Sequence, residues 1–108
     1  MARMSRLTQP PEMPREVSAT IEIIGNRART EILHWLSLDA TLTATELAER
    51  LGATRTGTHG NLVILERAGL ITGAPGPYDR QGRTVHWTVN HDHVRELARA
   101  WSEYVAGK

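Results

Sequence analysis

ATRTGTHGNLVILERAGLI, residues Ala53–Ile71, begins like a loop and ends like a helix. Gly57 and Gly60 stand in its front half, and each costs a helix about 0.5–1 kcal/mol relative to alanine. Leu62, Leu65 and Ala68 then recur at helical spacing, and Gly69 supplies a stop. Two readings compete for the front half: a flexible loop that holds a ligand, or a helix start kept thin so that something can approach its backbone. Gly57-Thr-His-Gly60 does fit the GXXG with which one class of module clamps single-stranded nucleic acid. That module needs strands packed behind the motif, whereas here a capped helix precedes it and the strands come later. The helix reading accounts for more. Side chains on a first turn that enters a groove need not reach a core, and the free N–H groups of a helix start favour phosphate. Burying Leu62 and Leu65 contributes about 1.5–3 kcal/mol each, which offsets the roughly 1–2 kcal/mol of the two glycines. The spacing therefore predicts a helix capped by Thr54 and running to about Ala68.

Upstream, Thr43-Ala-Thr-Glu46 is a capping box, in which the threonine hydroxyl and the glutamate carboxylate satisfy each other's backbone N–H. The helix it opens places Leu47, Ala48 and Leu51 inward and stops at Gly52. Before it, Ile32, Leu33 and Leu36 mark a helix capped by Asn26, and Val17, Ile21 and Ile24 mark another from Arg15 that ends at Gly25. The connector LDATLT has room for one short strand. Downstream, LIT and TVHWTVN read as two strands separated by the polar, turn-forming GAPGPYDRQGR. The last segment, capped by Asn90 or Asp92, carries Val94, Leu97, Trp101 and Val105 on one stripe. Residues 1–14, with prolines at 10, 11 and 14, read as a flexible N-terminal arm whose Arg3 and Arg6 lie in solvent. Residues 15–108 then form one domain, mainly α with a small β-hairpin wing, in the order α-α-α-α-β-β-α. That order is the winged helix-turn-helix, with Gly52 in the tight turn.

Composition sets the limits. The chain has 108 residues, 40% of them hydrophobic and 23% charged, which suits a globular domain. No apolar run is long enough for a membrane span, and residues 1–14 lack the apolar centre of a signal peptide, so a cytoplasmic location is expected. Without cysteine there is no disulfide or thiolate metal site. No catalytic or nucleotide-binding fingerprint occurs, and the expectation is a protein that is not an enzyme and needs no cofactor. The net charge of +1 gives no strong excess of positive charge, but Arg55, Arg67, Arg80 and Arg83 face only Glu66 and Asp79 in the middle third.

TATELAERLGATRTGTHGNLVILERAGLI followed by GRTVHWTVN resembles the ArsR-type family of winged-helix transcriptional regulators, and IIGNRARTEILHWL is similar to its preceding segment. The resemblance covers roughly Ile23 to Asn90, and MarR-type regulators share much of the same pattern. It implies a double-stranded DNA-binding regulator, a dimeric repressor acting by operator occlusion. The family's DNA-facing residues fall on Arg55, Thr56, His59 and Gly60, with Asn61 adjacent and Thr54 as cap. His59-Gly60 departs from the Ser-His common there, and Val63 stands where a basic residue often follows. Cysteine ligands of the metal-sensing members are impossible here, and His91 and His93, two apart on a helix, point away from each other; no metal is expected.

At those positions Arg55 can reach guanine O6 and N7 or a phosphate. Thr56 can meet phosphate or a thymine methyl, and His59 and Asn61 can reach base edges. Arg80, Gln81 and Arg83 lie at the hairpin tip, suited to flanking phosphates or the minor groove. Trp35, Trp87 and Trp101 read as core or interface, and His34 and His86 as structural. The first and last helices form the family's dimer interface, which maps to Val17, Ile21, Leu97, Trp101 and Val105. Such a homodimer presents two reading helices about 34 Å apart. A winged-helix module that binds protein rather than DNA is the alternative, favoured by the low net charge and by Val63.

Overall fold

Caps and glycine stops divide the chain into α1 (Arg15–Ile24), α2 (Arg27–Leu38), β1 (Leu42–Thr43), α3 (Ala44–Leu51), α4 (Arg55–Arg67), β2 (Ile71–Ala74), β3 (His86–Val89) and α5 (His91–Val105). The computed structural model describes residues 13–39 and 41–108. The expected arm, with Arg3 and Arg6, lies outside the described residues except for Met13 and Pro14.

The three strongest local signals form as the residues dictate. Asn26 Oδ1 accepts from the Arg29 N–H at 3.0 Å, and Thr54 Oγ1 accepts from the Gly57 N–H at 3.0 Å. Thr43 Oγ1 accepts from the Glu46 N–H while the Glu46 carboxylate accepts from the Thr43 N–H at 2.8 Å, closing the capping box. Each such cap stabilises its helix by about 1 kcal/mol. Gly52 ends α3 at φ 65°, a left-handed conformation that lets the chain reverse into α4 without a Cβ clash.

Two differences have physical causes. The hairpin is part of a three-stranded antiparallel sheet of order β1-β3-β2, with Leu42 and Gly73 both opposite Trp87. β1 is only two residues long, too short to show alternation, yet its Leu42 is buried in the core. In α1 the inward face is Val17, Thr20 and Ile23, a polar residue among them, while Ile21 and Ile24 point outward. Burying Thr20 is inexpensive because its hydroxyl is satisfied by the Glu16 carbonyl at 2.6 Å and the Leu97 carbonyl at 3.1 Å. That second bond ties α1 to α5.

The core joins Ile32 and Leu36 of α2, Leu47 of α3, Leu62 and Leu65 of α4, and the Trp87 ring of β3. Asn90 does not cap α5 with its side chain. Its Nδ2 instead donates to the Gly69 carbonyl at 2.7 Å and its Oδ1 accepts from the Thr72 hydroxyl at 3.1 Å, pinning the start of α5 to the turn after α4. His93 reinforces the joint through Nε2, which donates to the Ala68 carbonyl at 3.1 Å. Among the described residues no helix is long and apolar enough to cross a membrane.

Candidate nucleic-acid interface

The sequence ATRTGTHG is helical from Arg55 onward, so the loop reading fails. Thr58, Leu62 and Leu65 recur at i, i+4 and i+7 and turn one face of α4 into the core. Thr58 is thus buried, although it sits inside the polar stretch. On the opposite side Arg55, Thr56, Gly57, His59 and Gly60 are exposed, as is the cap Thr54. A Cβ at Gly60 would meet nothing within 4 Å, and one at Gly57 would meet only the Thr54 hydroxyl, at 3.0 Å. Among the described residues nothing demands glycine at position 60. The front of α4 is a slender, exposed rod.

Asn61 is placed differently from its neighbours. It is half-buried, and its Oδ1 accepts from Arg29 Nε at 3.0 Å, so this side chain braces α4 against α2 instead of projecting outward. Arg80 also departs from expectation. It belongs to the hairpin, but its guanidinium folds back onto Glu66 of α4, donating to both carboxylate oxygens at 3.1 and 2.6 Å. Those hydrogen bonds hold the Glu66 carboxyl below its ordinary range, against the opposing effect of burial and with help from the arginine charge. Gln81 and Arg83 remain exposed near the hairpin tip.

Between the front of α4, the start of α3 and the hairpin lies a groove of about 430 Å³. Arg55 and His59 line one wall, Arg83 and Thr84 another, and Thr45 of α3 closes it; no carboxylate lines it among the described residues. Groups of this kind donate to phosphate or to base edges, and low-dielectric walls strengthen their field. Sequence reasoning overlooked Thr45, which the fold alone brings to the groove. Tyr78 stands 98% exposed on the hairpin, outside the groove's lining.

A second recess is apolar. It measures about 280 Å³ and lies among α1, α2 and α5, with Ile24, Leu33, Val94 and Trp101 in its walls. Beside it the chain exposes Ile21 and Ile24 of α1 and Tyr104 and Val105 of α5. Of the residues expected at a dimer interface, Val17 and Leu97 are covered by their own protomer, with 2% and 7% exposure, because α1 and α5 pack on each other. Ile21 at 44% and Val105 at 59% are free to meet another surface, and Trp101 is half-buried.

The sequence profile of the MarR family matches residues 26–82, just over half of the chain, from the cap of α2 to the hairpin tip. The chain belongs to the MarR family. Over 82 residues it is also 29% identical to the HTH-type transcriptional regulator NmtR of Mycobacterium tuberculosis (strain ATCC 25618 / H37Rv), covering 76% of this chain and 63% of that relative. The chain therefore spans less than two thirds of that relative's length. Among solved structures it is similar to an ArsR family transcriptional regulator, at 20% identity and a TM-score of 0.66, over 94% of each chain. It is likewise similar to HlyU from Vibrio cholerae N16961, at 20% identity and a TM-score of 0.63, over 89% of this chain and 99% of that one. At such identities the structures establish the fold, a winged helix-turn-helix, in which α3 and α4 of this MarR-family chain form the helix-turn-helix and the hairpin forms the wing.

Proposed function

We propose that this MarR-family chain is a sequence-specific double-stranded DNA-binding regulator that acts in the cytoplasm as a homodimer and represses by occluding its operator. The observation that carries the reading is the exposed, glycine-thinned front of α4 beside a groove edged by Arg55 and Arg83 and, among the described residues, lined by no carboxylate. Arg55, Thr56 and His59 are the reading side chains, with Gly60 permitting close approach and Thr54 holding the helix start. Gln81 and Arg83 of the wing take flanking backbone. Asn61 and Arg80, turned to Arg29 and Glu66, support these groups from behind.

The homodimer forms through the adjoining outer faces of α1 and α5, with Ile21, Trp101 and Val105 at the contact and Val17 and Leu97 supporting it from beneath. No metal or other cofactor enters the account. Selection of bound duplex from a random pool, followed by salt titration on the enriched sequence, tests the function. An inverted repeat with half-sites about one helical turn apart, and affinity that falls steeply with salt, is expected. Failure to retain any duplex at low salt, with a protein partner co-purifying instead, would leave the protein-binding module as the function.

A further inference from the structure

Arg80 makes more contacts than a surface ion pair requires. Besides its two bonds to Glu66, its Nε donates to the Pro75 carbonyl at 2.8 Å. Its guanidinium carbon also lies 4.9 Å from the centroid of the Trp87 ring. The two charged side chains are only 17% and 20% exposed. Gly73 makes the space: a Cβ there would stand 2.5 Å from Arg80 Nη2, 2.8 Å from the Trp87 ring and 2.9 Å from Val85. One planar cation thus joins the end of α4, the end of β2, the bend that follows it and the indole of β3. A bidentate fork fixes orientation as well as distance, which a lysine ammonium does not. Swinging Arg80 out to a phosphate would strip the part-buried Glu66 carboxylate of both hydrogen bonds that the guanidinium gives it.

We propose that Arg80 is a positioning residue: held by Glu66, Trp87 and the gap at Gly73, it fixes the offset of the wing from α4 and thereby the phosphate that Arg83 meets. This rests on the DNA-binding reading above. It assigns Arg80 a part other than the direct backbone contact that its place in the hairpin suggests.

The test uses the full chain and a duplex selected with it, and compares Arg80→Lys, Arg83→Ala and the double variant by affinity and by the slope of affinity against salt. Alone, Arg83→Ala is expected to weaken binding about tenfold and lower the salt slope by about 1. Arg80→Lys keeps the charge but loses the fork, and is expected to reproduce both effects. In that background Arg83→Ala then costs less than about twofold, because Arg83 has already lost its phosphate. Glu66→Gln and Gly73→Ala, which leave Arg80 in place chemically, are expected to show the same loss of the Arg83 effect. They carry the test should Arg80→Lys fail to melt cooperatively. Losses that multiply, or an Arg80→Lys variant that binds like the wild type, would overturn the positioning role while leaving DNA binding intact. A wild-type chain that binds no duplex would remove the DNA reading and this inference with it.

Discussion

Arg29 and Asn61, on α2 and α4, are joined by a hydrogen bond from Nε to Oδ1 at 3.0 Å, and Arg29 is itself held by the Glu22 carbonyl at 3.0 Å. The exposed front of α4 is therefore braced from behind by a charged donor that reaches across from α2. Asn61→Ala is expected to lower unfolding stability by about 1–2 kcal/mol, and to leave the preferred base sequence unchanged. Denaturant unfolding together with duplex selection checks both halves. A variant of full stability with an altered sequence preference would place Asn61 at the bases after all.

Gly60 poses the opposite trade. Its missing side chain faces open space, so Gly60→Ala meets no obstacle and gains helix propensity, a stabilisation of about 0.5–1 kcal/mol. Duplex binding is expected to weaken in the same variant, since the added methyl stands where α4 is thinnest. Thermal melting and binding assays on one preparation give the answer, and a variant that is both more stable and undiminished in binding would show that the thinness serves no approach.

Much of this was legible because the signals were local. Asn26, Thr43–Glu46 and Thr54 each announce a helix start through atoms no more than three residues apart, and all three caps form. The placement of Arg80 was not legible, since it depends on Glu66, 14 residues away, and on a gap at Gly73. The brace at Asn61 is hidden for the same reason, as its partner lies 32 residues distant. Nor does local spacing reveal the inward turn of Thr20, which depends on the Leu97 carbonyl, a contact spanning 77 residues. Short-range chemistry writes elements; only the assembled fold writes which side of them is free.

The Glu66–Arg80 pair predicts a pH dependence. Because hydrogen bonds from Arg80 and its charge hold the folded carboxyl below the ordinary value of 4.5, the pair stabilises the fold fully above that value and loses the contribution as pH falls through the lower, folded one. Glu66→Gln is therefore expected to melt below the wild type near pH 7, with the gap closing in acid. Melting curves across that range decide it; a gap of constant size would mean that ionisation of Glu66 contributes nothing.

The outer faces of α1 and α5 predict the assembly. Ile21 and Val105 are exposed, so an aspartate at either place is tolerated by the protomer but not by an apolar contact between copies. Ile21→Asp and Val105→Asp are expected to sediment as folded monomers at micromolar concentrations at which the wild type is a dimer. A wild-type monomer under those conditions would exclude the proposed interface.

The central claim, that the exposed start of α4 enters a groove of duplex DNA, is tested most directly by Arg55→Ala on the selected operator. Arg55 is exposed on the first turn and lines the groove, so its loss leaves the fold unaffected. The account predicts a loss of about 1–3 kcal/mol in binding, with relaxed preference at one base position in each half-site. Binding of equal strength and equal base preference in variant and wild type would contradict it.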